Sequence, residues 1–173
     1  MKLRTFYRVL NWFETYQGDE SREKMVKLYK NLVLEEHKEL MDAIRDQDAV
    51  EVLDAIWDIL WVELWLIYFS NPWIKYYKYG DPAYTDIALK VEDAYERIAV
   101  NFDIIDKNKV FEILDDLVNE IANSNYTKTK LKQQSWEKEG KIIKWPNFKK
   151  PDIGKIIKKY NLQLKDLEDE DKD

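Results

Sequence analysis

The sequence predicts an all-α protein built as an antiparallel helical bundle. Only four glycines and four prolines interrupt its 173 residues. No stretch alternates apolar and polar residues over a length typical of a β-strand, whereas apolar residues recur at helical spacing through most of the chain. Because a helix with one apolar face must bury that face against another element, a bundle is the expected architecture.

The predicted helices begin and end at residues with known helix-capping or helix-breaking chemistry. Ser21 is a good N-cap, because its hydroxyl can accept a backbone N–H bond, and Pro72 cannot continue a helix. The short turn 46–48 makes the helices on either side of it antiparallel neighbours. Helices are predicted over 2–16, 21–46, from that turn to 71, over 84–100 and 107–123, and briefly after 151, with further turns at Gly140 and Pro146.

The composition predicts one folded domain over residues 1–160. Hydrophobic residues make up 45% of the chain and aromatic residues 14%, which is typical of a globular protein. Residues 161–173 include the stretch LKDLEDEDKD, in which acidic residues outnumber apolar ones. We therefore expect residues 161–173 to form an acidic, disordered tail.

Several classes of protein are disfavoured. The absence of cysteine excludes disulfides, thiolate catalysis and cysteine-ligated zinc. The N-terminal residues lack the apolar core and cleavage site of a signal peptide. The apolar stretch 53–69 contains Asp54, Asp58 and Glu63, and charges at bilayer depth are costly, so a buried helix is expected there and no membrane association.

The charge is distributed unevenly along the chain. The net charge is −6, which argues against a general nucleic-acid binder, and no stable nucleic-acid partner is expected. Residues 128–159 hold eleven lysines and three acids, giving +8, so the rest of the chain carries −14. An acidic body with a basic C-terminal arm suggests a site that handles both a metal and phosphates.

Three acidic residues of the stretch NLVLEEHKEL lie on or beside the apolar stripe of the second predicted helix. At about 100° per residue, with Leu32 at zero, Glu36 lies near 40° and Glu39 near −20°. Both therefore continue the core-facing stripe, and Glu35 flanks it. His37 points away from the stripe, so we expect it to be solvated.

The third predicted helix carries a matching strip of acids. Glu51 and Asp58 lie within about 60° of Asp54 on the helical wheel. An E-x-x-E or E-x-x-D pair alone is typical of a solvated helix surface. Antiparallel pairing of the two helices, however, brings Glu36 and Glu39 towards Glu51 and Asp54, where four carboxylates would repel one another without a cation. Oxygen ligands without nearby His or Cys favour Mg²⁺, with Mn²⁺ second.

These motifs resemble those of a known family. LEEHKELMDAI followed by VEVLDAIWDILWV resembles the E-E-x-x-E and E-x-x-D signature of MazG-like all-α nucleoside triphosphate pyrophosphatases, a superfamily that includes dimeric dUTPases and phosphoribosyl-ATP pyrophosphohydrolases. EIANSNYTK (120–128) and EGKIIKWPNFKKPDI (139–153) are similar to two elements of phage-type members, with Glu139 where Asp is usual. The similarity covers residues 10–69 and 108–153.

The resemblance implies roles for two sets of residues. It implies that Mg²⁺ is held by Glu36, Glu39, Glu51 and Asp54, with Glu35 and Asp58 as extra ligands or supporting groups. It also implies nucleotide or phosphate contacts for Asn125, Lys128, Lys141 and Lys144. Two alternatives remain open at these positions: solvated surface charges for the lysines, and a helix-terminating turn at Asn125.

One region departs from the family pattern. Residues 71–107 are longer and more aromatic than the link expected in phage-type members, so we interpret them as a helical insertion. Their aromatic residues are predicted either to stack on a base as a lid or, more typically, to fill the core or an oligomer interface. These residues are Trp73, Tyr76, Tyr77, Tyr79 and Tyr84.

The resemblance implies Mg²⁺-dependent hydrolysis of a nucleoside or deoxynucleoside triphosphate between its α and β phosphates, releasing a monophosphate and pyrophosphate. The candidate catalytic residues are Glu35, Glu36 and Glu39, and a glutamate without a metal ligand role, Glu35 or Glu39, is expected to accept the proton of the attacking water. A P-loop motif is absent from the sequence, which argues against γ-phosphate cleavage by that route.

Other interpretations remain open. The chain is alternatively a dUTPase, a dCTPase or a phosphoribosyl-ATP hydrolase, or a catalytically silent nucleotide-binding or helical interaction protein. The resemblance implies a homodimer or dimer of dimers, which exposed tryptophans on the third predicted helix would also favour. It further implies the cytoplasm of a bacterium or of a phage-infected cell.

Overall fold

The part of the chain that the structure describes is predominantly helical. The computed structural model describes residues 21–71, 82–129 and 149–165. These residues form five helices: α1 (Arg22–Arg45), α2 (Ala49–Ser70), α3 (Pro82–Asn101), α4 (Lys107–Thr129) and α5 (Ile153–Tyr160). The described ranges contain no strand, so the all-α prediction is confirmed. The predicted helix over 2–16 and the predicted turns at Gly140 and Pro146 lie outside the described residues.

Three of the helices start at a side-chain cap. The hydroxyl of Ser21 accepts a backbone N–H bond at the start of α1, as predicted. The carboxylates of Asp48 and Asp152 do the same for α2 and α5. Each cap satisfies a backbone donor that has no partner inside its own helix, which fixes where the helix begins.

Among the described helices, α1 and α2 form the most extensive pair. Its turn contains Gln47 in a left-handed conformation (φ 55°), and the backbone N–H of Asp48 donates to the carbonyl of Ala43 at 3.0 Å. Tyr29 and Trp65 each lie eighteen residues from Gln47, and their rings stack with centroids 6.3 Å apart. The two helices therefore run antiparallel with their residues paired symmetrically about the turn.

Helix α2 is the centre of the core. It packs against α1, α3 and α5, and α4 packs against α3 and α5. Leu53, Ile56 and Leu60 are fully buried on α2, as expected for a helix that is apolar nearly all round. Among the described helices, none combines the length and the apolar composition that a membrane-spanning helix needs.

The tryptophans of α2 pack inside the chain itself. Trp57 and Trp65 are 2% and 8% exposed, and Trp61 is half-buried between them. Trp65 and Phe69 stack on each other and on Tyr29 of α1. The expectation of exposed tryptophans was therefore wrong for Trp57 and Trp65, because the antiparallel hairpin already buries them. The five aromatic residues assigned to a lid or interface have no described side chains.

Residues 161–165, which were predicted to belong to the acidic tail, pack on the described domain, whereas residues 166–173 lie outside the described residues. Leu162 is 6% exposed and belongs to the hydrophobic core, and Leu164 packs against that core. The backbone N–H of Lys165 donates to the carbonyl of Asn101 at 2.8 Å. Residues 161–165 therefore belong to the folded domain. Leu162 and Leu164 alternate with polar residues before the acidic stretch begins, and both leucines pack on the core.

We expect Leu162→Ala to destabilise the protein by about 2–3 kcal/mol, because it removes buried methyl groups and leaves a cavity. Chemical denaturation would measure the change. The neighbouring exposed residue provides the control, and Gln163→Ala should change the free energy of unfolding by less than about 0.5 kcal/mol. Equal stabilities of the two variants would show that residue 162 is not part of the core.

A buried ionic network connects α2 to α3. Glu63 is 7% exposed, and its Oε1 accepts a hydrogen bond from Lys90 Nζ at 3.1 Å. Lys90 also bonds Asp93 at 3.1 Å, and Arg97 Nη1 lies 3.9 Å from Glu63 Oε2. Burial alone would lower the pKa of Lys90, but its hydrogen bonds to Glu63 and Asp93 raise it overall. The charge that interrupts the apolar stretch of α2 thus has cationic partners on α3.

Candidate functional site

The α1–α2 hairpin brings acidic residues of the two helices to the same level. Glu36 of α1 and Asp58 of α2 each lie eleven residues from Gln47 at the turn. Asp54 lies one helical turn before Asp58, and the side chains of both are half-buried. The symmetrical pairing of the hairpin therefore sets Glu36 opposite Asp58, with Asp54 one turn nearer the loop.

Glu36 is a half-buried carboxylate with a strongly raised pKa. Its pKa is raised to about 7, first by burial and then by the negative charges of Asp58, Glu39, Glu35 and Asp54. These five residues, Glu35, Glu36, Glu39, Asp54 and Asp58, are the acidic cluster. A raised pKa with these causes means that the ionised form of Glu36 is disfavoured in the folded protein.

One oxygen of Glu36 has no hydrogen-bond donor within the described ranges. Glu36 Oε2 is buried, and no N–H or O–H of the described residues bonds it. A buried carboxylate oxygen without a donor carries an uncompensated desolvation cost. Either a proton or a cation would compensate for that cost.

The structure corrects the predicted orientation of Glu39. The buried stripe of α1 runs through Met25, Leu40 and Ala43, with Glu36 half-buried beside them. Glu39 is exposed, as is Glu35, so Glu39 does not continue the core-facing stripe. Centring the wheel on Leu32 put the stripe too far round the helix, since Leu32 itself is only half-buried.

Glu51 lies at the margin of the predicted site. Its side chain is 54% exposed, and its Oε1 is 3.8 Å from Lys150 Nζ. Glu51 is not among the acids that raise the pKa of Glu36, whereas Asp58 is the first of them. Asp58, predicted only as an extra ligand, is thus the principal partner of Glu36, because the symmetrical register pairs it with that residue.

The donor chemistry of the acidic cluster fits a hard divalent cation, but its side chains do not already surround an ion. Carboxylate oxygens are the ligands that Mg²⁺ prefers, and Glu36 offers one with no donor among the described residues. Within those same ranges, no three acidic, His or Cys side chains converge as a metal site. Binding an ion would therefore require new rotamers, which the exposed Glu35 and Glu39 are free to adopt. His37 is half-buried rather than fully solvated.

The residues predicted to contact the nucleotide are only partly placed. Asn125 and Lys128 belong to the last turns of α4, but their side chains lie outside the description, as do all of Lys141 and Lys144. Because α4 continues to Thr129, the alternative of a helix-terminating turn at Asn125 is wrong.

The end of the lysine-rich arm is attached to two helices. Ser124 Oγ of α4 donates to the carbonyl of Lys149 at 2.6 Å, and the backbone N–H of Asp152 donates to Glu120 Oε1 at 3.0 Å. Lys150 then approaches Glu51 at the start of α2. Lys150 was not predicted as a site residue. Its position two residues before Asp152, the N-cap of α5, is readable from the sequence and could have indicated that it is held near the helices. The arm thus returns to the helix that carries Asp54 and Asp58.

No protein-family model, curated protein or solved structure matches this chain.

Proposed function

We propose that the acidic cluster binds Mg²⁺, or Mn²⁺ in its place, and that the protein hydrolyses nucleoside or deoxynucleoside triphosphates between the α and β phosphates. The observation that carries the proposal is the state of Glu36. This half-buried carboxylate has a pKa near 7, faces four other acids and has an oxygen without a donor in the described chain. A divalent cation would favour the ionised form of Glu36, reduce its repulsion by the neighbouring acids and coordinate the oxygen that has no donor.

The cluster residues would have distinct tasks. Glu36, Asp54 and Asp58 are half-buried and would hold the ion, with Glu39 and Glu51 closing on it from the surface. A bound divalent ion supplies Lewis-acid chemistry, since it polarises a phosphoryl oxygen and favours deprotonation of water. Glu35 and Glu39 are both exposed to solvent, and whichever of them does not bind the ion would accept the proton of the attacking water.

The basic arm would neutralise the triphosphate and the departing pyrophosphate. Lys150 lies 3.8 Å from Glu51, so at least one positive charge of the arm is held close to the start of α2. Lys128, Lys141 and Lys144 are the further candidates from the sequence, with Asn125 as a hydrogen-bonding contact to the nucleotide. A lysine is a movable point charge, which suits a phosphate chain of changing geometry.

The proposal is tested with a panel of nucleoside triphosphates, including dUTP, dCTP and phosphoribosyl-ATP, in the presence of Mg²⁺. Pyrophosphate and the monophosphate are the expected products, and the preferred substrate would identify the specificity. Orthophosphate as the product would contradict cleavage between the α and β phosphates. Stabilisation by Mg²⁺ and nucleotide without turnover would support the alternative of a silent nucleotide-binding protein.

Asp58→Asn is expected to reduce turnover by about 100-fold or more, because it removes a charged oxygen ligand without changing the size of the side chain. Steady-state pyrophosphate release at saturating Mg²⁺ would measure the loss. The matched control is Glu112→Gln, an exposed acid on α4, which should retain full activity. Full activity of both variants would exclude Asp58 from the site.

The proposal also includes the oligomeric state and the cellular location of the protein. A homodimer or dimer of dimers in the cytoplasm of a bacterium or of a phage-infected cell fits a nucleotide hydrolase. Light scattering at several protein concentrations would test the oligomeric state.

A further inference from the structure

The outward face of α1 combines cations with exposed apolar side chains. Leu34 and Met41 are 71% and 61% exposed, and Leu34 lies opposite the buried Met25 and Ala43 on the helical wheel. The basic residues within about 60° of Leu34 on the wheel are all exposed. They are Lys27, Lys30, Lys38 and Arg45. We call these four residues, with Leu34 and Met41, the basic stripe.

Acids reduce the charge of this face only at its two ends. Glu23 lies on the same face, one turn before Lys27, so four cations and one acid leave the face with a charge of +3. At the other end Arg45 bonds Asp42. Between these ends, no acid of the described residues pairs with Lys30 or Lys38. The middle of the basic stripe, around Leu34, is therefore positively charged.

The outward face of α3 has the opposite charge. Leu89 and Val100 are 51% and 67% exposed, and Leu89 lies opposite the buried Ile98 on the wheel. Within about 60° of Leu89, α3 has exposed acids and no lysine or arginine. The exposed acids are Asp86, Glu92 and Glu96. We call these three acids, with Leu89 and Val100, the acidic stripe, and its charge is −3.

The acidic stripe has no cation of its own to neutralise it. The half-buried Asp93 beside it already bonds Lys90, whereas no cation of the described residues pairs with Glu92 or Glu96. These two glutamates are four residues apart, and like charges at that spacing destabilise a helix. A cationic surface would relieve their repulsion, and apolar side chains in that surface would remove Leu89 and Val100 from water.

We propose that the basic stripe of one copy of the chain binds the acidic stripe of a second copy. The charges are +3 and −3, and each stripe contains two exposed aliphatic side chains. At 1.5 Å per residue the stripes are about 27 Å and 21 Å long, so most of their lengths can pair. Both stripes remain exposed in the folded chain, which means that they do not cover each other within one copy.

The contact joins two unlike surfaces. It therefore either forms twice in a two-fold pair or links copies successively. This inference rests on the self-association included in the proposed function and names the surfaces that meet, but it does not depend on the hydrolase activity.

A reciprocal charge swap tests the contact. One variant reverses the middle of the basic stripe with Lys30→Glu and Lys38→Glu, and the other reverses the acidic stripe with Glu92→Lys and Glu96→Lys. Each variant alone sets like charges against each other, so its self-association should be weaker than that of the wild type by about tenfold or more. An equimolar mixture restores opposite charges at every contact and should associate like the wild type.

Light scattering coupled to size-exclusion chromatography at low ionic strength would measure the molar masses. High salt should weaken association of the wild type, because screening reduces charge pairing at a surface. Lys107→Glu with Lys155→Glu is the control for the first variant, since it reverses two exposed lysines of α4 and α5 at the same net charge and should associate like the wild type. Association of the mixture would also show that both swapped variants are folded.

The outcomes that overturn the inference are separable from failure of the proposed function. A wild type that associates as strongly as either variant, or a mixture that does not associate, would overturn the contact and leave the hydrolase to the substrate panel. A monomeric wild type at every concentration would overturn both the contact and the proposed dimer. Binding of the wild type to anionic lipid vesicles, lost in Lys30→Glu with Lys38→Glu, would assign the basic stripe to a membrane surface and overturn the contact between copies.

Discussion

Replacing Glu63 by alanine is expected to lower the free energy of unfolding by about 3 kcal/mol. Glu63 is 7% exposed and holds Lys90 and Arg97 of α3 against α2. Removing one member of a buried ion pair leaves the other charges without compensation, which costs more than the pair itself contributes. Arg97 Nη1 is already buried without a hydrogen bond in the described chain, so the loss of Glu63 would leave it with no nearby carboxylate from α2.

The loss of stability in Glu63→Ala depends on how much solvent reaches Lys90 and Arg97. Lys90 is 34% exposed and keeps Asp93 as a second acceptor, so the expected loss lies at the lower end of the range for buried pairs. Glu63→Gln should cost less, because its amide oxygen can still accept from Lys90. Chemical denaturation of both variants would measure the difference, and a cycle with Lys90→Met would isolate the pairwise energy.

An exposed acid on α3 is the appropriate control. Glu92→Ala should shift the free energy of unfolding by less than about 0.5 kcal/mol. If Glu63→Ala behaves like Glu92→Ala, the network does not hold α3 to α2 and the attachment of α3 rests on its apolar residues alone. Ile87, Val91 and Ile98, which are fully buried, would then account for it.

Helix boundaries were predictable where a local signal determines them. The cap at Ser21 and the stop at Asn71-Pro72 are properties of a few neighbouring residues, and the structure has both. Helix α4 runs six residues beyond the predicted end at Asn123, because asparagine is tolerated within a helix that packs on its neighbours. Pro82 begins α3 two residues early, since proline fits the first helical position.

The acidic cluster was predictable in its location but not in its membership. Sequence spacing put Glu36 and Asp54 on facing helices, and both are half-buried. The rotation of α1 about its axis, however, is fixed by tertiary packing such as the stacking of Tyr29 on Trp65. Glu36 and Glu39 lie about 60° apart on the wheel, which is less than the step of one residue. An error of that size in the rotation of α1 exchanges the half-buried position for the exposed one, and this is why Glu39 was predicted to face the core.

Ionic partners distant in sequence were beyond prediction from spacing. Glu63 and Lys90 are 27 residues apart and belong to different helices. Only the packing of α3 on α2 brings them together, and several other lysines were equally eligible by charge. Lys150 and Glu51 pair for the same kind of reason, through the attachment of residues 149–152 to α4.

Replacing Glu36 by glutamine is expected to stabilise the metal-free protein above pH 7, by about 1–2 kcal/mol after allowance for solvent screening of a half-buried group. The pKa of Glu36 is raised from 4.5 to about 7 in the folded protein, so the folded state holds the proton more tightly than the unfolded state. Its contribution to stability is therefore greatest below pH 4.5 and is lost as the pH rises to 7.

The pH dependence distinguishes this mechanism from a change in packing. At pH 4.5 and below, Glu36 is protonated in the folded protein and the glutamine variant should have nearly the same stability as the wild type. Denaturation curves at both pH values would measure the difference. The control Glu112→Gln changes an exposed acid and should show no such pH-dependent gain. A gain of equal size at both pH values would contradict the raised pKa.

Adding Mg²⁺ should reverse the order of stability if the cluster binds the ion. The wild type gains the free energy of binding, which is about 2.7 kcal/mol at a ligand concentration a hundred times the dissociation constant. The glutamine variant gains much less, because a carboxylate that carries a full charge is replaced by a neutral amide. It would then be more stable than the wild type without metal and less stable with it. Equal stabilisation of both proteins by Mg²⁺ would place the ion away from Glu36, whatever the pH dependence shows.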